Sequence, residues 1–421
     1  MIGALYGCEI EKDRPTMHEN IRTADKKERI RDLQESVPGE ALKGRVEELL
    51  RKLKASGSWE SPLGANESAF SIGIDIGDKK SRYCILDAQG GILAEEALST
   101  TQAEFTAYFS SIPKARIAIE VGTHSPWISA LLESHGHTVY VANPRKMESI
   151  HKNRRKNDKV DARTLARLVR ADPELLYPIR HRGVEVREDL VVLRARGALV
   201  SARTSLINSM RGLVKSVGER LPKCSAESFH NSVTDAIPER LGPALRPMLE
   251  QIQSLTAKIK EYDKLVDALA AKKYPETEVL RQVKGVGALT SLAFVLTIEN
   301  PDRFEKSRDV GPYLGLVPKQ DDSGDSSPQL RITKTGDMMV RRLLVGSGHY
   351  ILGPFGEDCD LRRHGLKMAA RGGKNAKRRA VVAVARKLGV LLHRPWRTGE
   401  VYEPLHNERS TNPALAAAAK G

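Results

Sequence analysis

Cysteine is scarce in this sequence. There are four in 421 residues, at Cys8, Cys84, Cys224 and Cys359, and none forms a CxxC pair. Such spacing excludes a disulfide scaffold and a thiolate zinc site, and fits a reducing compartment. Aromatic residues make up 5% of the chain, so base stacking is a poor primary means of holding a nucleic acid and backbone contacts are favoured. No run of about 18 apolar residues occurs, which argues against a transmembrane helix. The opening MIGALYGCEIEKDR lacks a basic segment followed by a long apolar one, so no secretory leader is expected. The expected location is cytoplasmic. Acidic side chains are missing altogether from residues 361–397, a stretch with twelve Lys and Arg.

What is present is positive charge and enough apolar residues for real cores. Lys plus Arg total 68 against 53 Asp plus Glu, a net charge of +15, and 40% of residues are hydrophobic. The length predicts two or three domains. Residues 1–69 carry 12 basic and 13 acidic side chains, so the surplus lies wholly downstream. A second dense block, residues 143–171, holds ten Lys and Arg against Glu148, Asp158 and Asp161. A solvated helix face explains one such block, whereas two favour a polyanionic partner whose phosphates neutralise them.

Residues 39–54 read as a short amphipathic helix, and GSWESPLGANES as a linker. Strands are predicted at Ser71–Ile76, Arg82–Asp87, Ile92–Leu98, Ala115–Glu120 and Thr138–Val141. Helices are predicted from Thr101 to Tyr108, from Ser125 to His135, and from about Arg145 to Arg170. Three strands joined by tight turns suggest antiparallel pairing, and the later alternation of helix and strand suggests parallel additions to the same sheet. Residues 186–270 are predicted helical. After a Pro-rich break, Leu245, Met248, Ile252, Leu255, Ile259, Tyr262, Val266 and Leu269 form a heptad seam, which reads as a helical hairpin or coiled coil and suggests oligomerisation. In 279–297, two apolar helices flank Lys284–Gly285–Val286–Gly287. This fits a helix–hairpin–helix whose glycines let backbone amides approach a phosphate, although a tight helical turn needs glycine in any case.

Four acids stand out. Asp75 interrupts an apolar strand, Glu120 ends another, and Asp158 and Asp161 share a helix face at i, i+3. If they converge they need a cation, because two carboxylates about 4 Å apart repel by roughly 4 kcal/mol at an effective dielectric of 20. Divalent magnesium offsets that repulsion and can hold phosphate oxygens, and a pair of ions suits phosphodiester chemistry. A merely exposed strand end and local ion pairs are the plainer readings of Glu120 and of the Asp158/Asp161 pair.

The segments GIDIGDKKSRYCILDAQG, IAIEVGTHSPWISALLESHGHTVYVANP and RRKNDKVDARTLARL resemble the RuvC-like, RNase H-type domain of the DEDD transposases of the insertion-sequence 110 family, relatives of the Piv-type DNA invertases. QVKGVGALTSLAFVLTIENPDRFEKSRDVGPYLGLVPKQDDSGDSSPQLRITKTGDMMVRRLLVGSGHYIL is similar to the family's C-terminal part. The resemblance covers roughly 70–405 and implies the following organisation: an extension with linker at 1–69, a RuvC-like domain at 70–180, a helical coiled-coil oligomerisation region at 181–274, a mainly helical C-terminal domain with serine loop at 275–405, and a tail at 406–421.

The resemblance implies a DNA transposase or recombinase that binds donor and target DNA. Its carboxylates fall on Asp75, Glu120, Asp158 and Asp161 and would hold Mg2+, two ions with Mn2+ able to substitute. Its serine nucleophile falls on Ser323, in Pro318 to Ser323–Gly324, with Ser326 and Ser327 close by. It further implies a structured guide RNA, a homo-oligomer (a dimer, and a tetramer on DNA) and a prokaryotic, nucleoid-associated setting. Residues expected to contact nucleic acid are Arg145, Lys146, Arg154, Arg155, Lys156, Lys159, Arg163, Lys284, Gly285, Gly287, Arg331, Lys334, Arg341, Arg342, Arg371, Lys374, Lys377, Arg378 and Arg379. The competing readings are a metal-dependent, structure-specific DNA nuclease acting on junctions, and a non-catalytic nucleic-acid-binding relative.

Overall fold

A computed structural model describes residues 40–56, 70–147, 158–323, 326–328 and 330–407. The chain divides into two compact units, 1–181 and 182–421.

The first unit is built on a five-stranded mixed sheet of order β3-β2-β1-β4-β5. Its strands are β1 (Ser71–Asp75), β2 (Lys80–Leu86), β3 (Ile92–Ser99), β4 (Arg116–Glu120) and β5 (Thr138–Ala142). β1, β2 and β3 pair antiparallel, and β4 and β5 add in parallel beside β1. Each strand lies within two residues of its expected bounds. Side chains alternate between faces at period two. Ile72, Ile74, Tyr83, Ile85, Ile117 and Ile119 therefore point to one side, where α1 (Glu40–Ala55), α2 (Gln102–Phe109) and α3 (Ser125–Ser134) cover them. Thr101 caps α2, its hydroxyl accepting from the Glu104 amide.

The opposite face is made of small residues. Gly73, Cys84, Ala118 and Ala142 lie under α5 (Asp158–Ala171), after the one-turn α4 (Pro144–Met147). A Cβ on Gly73 would sit 2.1 Å from the Ala162 carbonyl oxygen and 2.3 Å from the Ala166 amide. The α5 backbone thus rests directly on β1, which only glycine permits. The small cysteine fits the same tight interface. Burial first, then Glu95, pushes the Cys84 thiol up to about 12, so Cys84 is packing and not a nucleophile.

The amphipathic segment expected near the start of the chain does form, as α1, and it belongs to this core. Leu42, Val46, Leu49 and Leu53 are buried beside Phe70, Tyr83, Leu98 and Tyr108. Arg45 donates to the Tyr83 hydroxyl at 2.8 Å and to the Ala97 carbonyl at 3.0 Å, and pairs with Glu96. The expected linker lies outside the described residues.

The second unit is helical: α6 (Val184–Ser216), α7 (Phe229–Val233), α8 (Gly242–Lys273), α9 (Glu276–Arg281), α10 (Ala288–Ile298), α11 (Val310–Tyr313), α12 (Met338–Leu352), α13 (Asp360–Ala369) and α14 (Ala376–Thr398). α6 and α8 form an antiparallel hairpin. Arg196 pairs with Asp263 (2.5 Å) and Lys273 with Asp189 (3.2 Å). The heptad residues Leu245, Ile252, Leu255, Ile259 and Val266 are buried, and α6 of the same chain packs along this seam. The hairpin base is continuous with the main core of the unit, where Leu190, Leu193, Val266 and Ala270 join Phe294, Leu344 and Leu388. No helix among the described residues is long and apolar enough to cross a membrane.

Candidate active site

Asp75 and Glu120 close two adjacent parallel strands, where Ile74 pairs with Ile119. By alternation they share the face of Gly73 and Ala118. Both line one cavity of about 360 Å³, with Asp78, Gly122, Thr123 and His124 around them. Strand carboxyl ends beside a parallel pair are the usual crevice of such sheets.

α5 lies across this face antiparallel to β1. At its C-terminal end Arg170 donates to the Ala88 carbonyl (3.3 Å), past the strand end that pairs with Ser71. Its first turn therefore lies towards the Asp75 end. Asp161 sits on that turn, one helical turn before the buried Leu165. Asp158 opens the helix, one turn before Ala162. Sequence spacing thus brings two acids to one cavity and the other two to the nearest helix terminus. Among the described residues no group of three or more His, Cys, Asp or Glu has metal-holding geometry. Asp75 and Glu120 nevertheless supply carboxylate oxygens, the hard donors that magnesium and manganese take.

Two neighbours escaped the sequence reading. The His124 Nδ1 accepts from the Trp127 indole (3.1 Å), which leaves Nε2 as the protonated nitrogen facing Asp78 Oδ1 at 3.4 Å. Ser125 is fully buried and pins the turn after β4. Its hydroxyl donates to the Gly122 carbonyl (2.9 Å), accepts from the Gly122 amide (3.0 Å) and meets His181 Nε2 at 3.0 Å. The one available signal was GTHSPW following Glu120, which periodicity cannot flag.

Ser323 lies on the tip of a narrow antiparallel ribbon in the second unit. Lys334 N donates to Gly315 O, Thr333 N to Val317 O and Lys319 N to Arg331 O. At the tip Ser323 and Ser326 exchange two backbone bonds of 3.1 and 3.0 Å. Gly324 lies outside the described residues. Ser323, Ser326 and Ser327 are all exposed, so exposure does not choose between them. Arg331 faces Lys319 on the ribbon, and Lys334 takes a left-handed conformation at its base (φ 56°).

The expected nucleic-acid contacts divide into groups. Arg341 is spent on the fold, donating to Leu314 O (3.1 Å) and Thr335 O (2.7 Å) at the ribbon base. Arg163 is held by Glu95 in a two-pronged pair of 2.6 and 2.8 Å, and that partner raises its pKa. Lys284 reaches Glu357 at 3.5 Å across an exposed gap. Lys146 lies over the Tyr177 ring. Arg342 lines a second cavity together with Gly285 and Gly287. Arg371, Lys374, Lys377, Arg378 and Arg379 are exposed around the start of α14. Arg154, Arg155 and Lys156 lie outside the described residues, as do the side chains of Arg145, Asp158 and Lys159.

Residues 72–218 match the family model of the DEDD transposases of the IS110 group, described as transposase, and residues 277–349 match that of the IS116/IS110/IS902 transposase family. Among similar proteins are the transposase for insertion sequence element IS1111A of Coxiella burnetii, 26% identical over 75% of this chain and 86% of its own length, and a probable family 20 transposase of Pseudomonas aeruginosa, 25% identical over 70% and 88%. The transposase for insertion sequence element IS1328 of Yersinia enterocolitica is 25% identical over 65% and 81%. A mixed sheet carrying acids at its strand ends, followed by a helical unit with a serine ribbon, is thus the frame of a DNA transposase. The chain belongs to the IS110 family of insertion-sequence transposases, a DEDD group whose chemistry ordinarily implies a divalent metal.

Proposed function

We propose that this transposase cuts and rejoins insertion-element DNA through a composite site, with carboxylates of a RuvC-like, RNase H-type domain on one side and Ser323 on the other. The observation that carries the reading is the convergence of Asp75 and Glu120 on one cavity, with the first turn of α5 directed to the same end. Asp75, Glu120, Asp158 and Asp161 would hold Mg2+ or Mn2+, which supplies Lewis acidity at phosphate oxygens and eases deprotonation of a hydroxyl. Asp75 and Glu120 orient from rigid strand ends, which fixes them better than loops do. His124 holds Asp78 at the cavity mouth.

In the cleavage step the Ser323 Oγ forms a bond to phosphorus while a bridging P–O bond of the DNA breaks. The serine proton leaves to a base or solvent, and the departing DNA oxygen takes up a proton. The link between serine and DNA conserves one phosphodiester for rejoining. Arg331 and Lys334 on the ribbon supply positive charge near the developing negative charge. Donor and target DNA are the substrates. A structured guide RNA reads sequence by pairing, while the basic segments hold backbones by charge. The α6/α8 hairpin, which leaves Val191, Leu213 and Leu265 exposed, serves as the oligomerisation arm.

The test uses purified protein, element-end DNA and magnesium. Asp75→Asn and Glu120→Gln should each abolish cleavage yet leave DNA binding unchanged. Cleavage at the wild-type rate by Asp75→Asn removes the carboxylate site from the mechanism. Cleavage by Ser323→Ala that yields hydrolysed ends would instead favour the junction nuclease.

A further inference from the structure

Three carboxylates, Asp75, Asp78 and Glu120, line the cavity of about 360 Å³ at the strand ends. Among the described side chains that line it, His124 is the one nitrogen donor. Capping does not explain this imidazole. His124 occupies the N-cap of α3, where Ser, Thr, Asn or Asp would accept from a helix amide, yet its side chain makes no capping bond. The turn before the helix is tied instead by Ser125, through both of its bonds to Gly122.

The ring is held firmly at the cavity. The Trp127 indole donates to its Nδ1 at 3.1 Å and stands edge-on to it, and the same indole packs edge-on against the fully buried Phe105. With Nδ1 taken as an acceptor, the proton is on Nε2. That donor is poorly used in the free protein. Asp78 Oδ1 lies 3.4 Å away, beyond the usual range of about 2.7–3.2 Å. The Asp78 side chain is 89% exposed, so little packing keeps it there. A carboxylate oxygen resting loosely on a fixed N–H is readily exchanged for a phosphate oxygen.

We propose that His124 is a further catalytic residue, whose Nε2–H donates to one non-bridging oxygen of the scissile phosphate, and that Asp78 keeps its place until DNA displaces it. This rests on the reading above, in which the carboxylates of this cavity serve DNA cleavage. Asp75 and Glu120 can hold cations but, as carboxylates, cannot donate a hydrogen bond. His124 supplies that donor in a fixed direction, and its bond strengthens as negative charge grows on the phosphate oxygens.

The experiment measures single-turnover cleavage of element-end DNA by the full chain, with manganese present. The scissile phosphate is natural or carries sulfur at one or the other non-bridging position. His124→Asn keeps a favoured N-cap residue and an acceptor for Trp127, but leaves nothing at the Nε2 position. It should cut natural DNA about tenfold to a hundredfold more slowly, the worth of a hydrogen bond to a charged group. On one sulfur diastereomer it should match the wild type, because the contacted oxygen is then absent for both. Asp78→Ala should tighten DNA binding, and the gain should vanish in combination with His124→Asn. A wild-type rate for His124→Asn, or the same loss on all three substrates, overturns the proposal. A gain from Asp78→Ala that persists in the double variant is a plain charge effect and overturns the exchange. Should His124→Asn melt too low to assay, His124→Gln and His124→Met decide, since the two are alike in length and only glutamine donates. Cleavage at least about tenfold faster by the glutamine variant upholds the contact, and equal rates overturn it. Asp75→Asn inactive beside a fully active His124→Asn removes this inference alone, whereas a fully active Asp75→Asn removes the proposed function as well.

Discussion

Replacing Gly73 with alanine tests whether the approach of α5 to β1 positions the active site. The new Cβ would lie 2.1 Å from the Ala162 carbonyl oxygen and 2.3 Å from the Ala166 amide, where ordinary contact begins at 3.4 Å. Both are backbone atoms, so no side chain can swing aside. α5 must retreat by about 1 Å, and overpacking of this kind costs about 1–3 kcal/mol of stability. Asp158 and Asp161 ride on the first turn of that helix. A misplacement of about 1 Å in a catalytic constellation is worth about a hundredfold in rate. Gly73→Ala should therefore fold with a lowered melting temperature and cleave element-end DNA about a hundredfold more slowly, with DNA binding unchanged. The assay pairs thermal melting with single-turnover cleavage in magnesium. A folded variant that melts lower yet cleaves at the wild-type rate would refute the idea that α5 carries acids essential to the site.

Other expectations concern the folded frame. Leu49→Ala should cost about 2–5 kcal/mol, because Leu49 is 2% exposed within the first unit's core. An unchanged urea midpoint would show that α1 is dispensable. Burial holds His137 below its ordinary pKa of 6.5. Its Nδ1 accepts from the Ala115 amide (3.1 Å) and its Nε2 faces Phe109 O (2.9 Å). The unfolded chain therefore takes up this proton first, so the contribution is fully present above pH 6.5 and is lost as pH falls from there towards the folded value. Urea unfolding at a series of pH values should show that loss, and His137→Gln should flatten it. An identical slope in the variant would assign the effect to other groups. Arg203 is 6% exposed, with Nη1 3.3 Å from the Thr256 hydroxyl and a buried Nε that has no partner among the described residues. Arg203→Leu should leave thermal stability unchanged or raise it; a drop of more than about 2 kcal/mol would show that the buried cation is paired in the assembled protein.

The sheet was legible because its strands carry strong local signals. SIGID and RIAIE alternate between large apolar residues and small ones, and tight turns containing Gly77 and Gly90 join the first three strands. Pairing direction followed from connection length, since two turns can only fold antiparallel and two helical crossovers return parallel. The heptads of α8 were equally plain, but a seam does not name its partner. Within the chain α8 meets α6 through contacts such as Arg196–Asp263, 67 residues apart, which local periodicity does not reveal. Residues 39–54 read as an amphipathic helix with no stated place, because burial against Tyr83 and Tyr108 is a long-range property. At the site, Asp75 was conspicuous for its charge among isoleucines. His124 and Ser125 were not, since their roles rest on Trp127, Gly122 and His181 arriving in space. The ribbon beneath Ser323 was also hidden, because its pairing joins irregular segments without strand periodicity.

The most direct measurement of the composite site is the trapping of a covalent protein–DNA adduct. Wild-type protein is incubated with element-end DNA and magnesium, quenched, digested and mapped by mass spectrometry. The expected result is a nucleotide attached to Ser323, no adduct with Ser323→Ala or Asp75→Asn, and retention of the adduct in Ser326→Ala and Ser327→Ala. Cleaved DNA with no attached protein, or an adduct on any other residue, would contradict it.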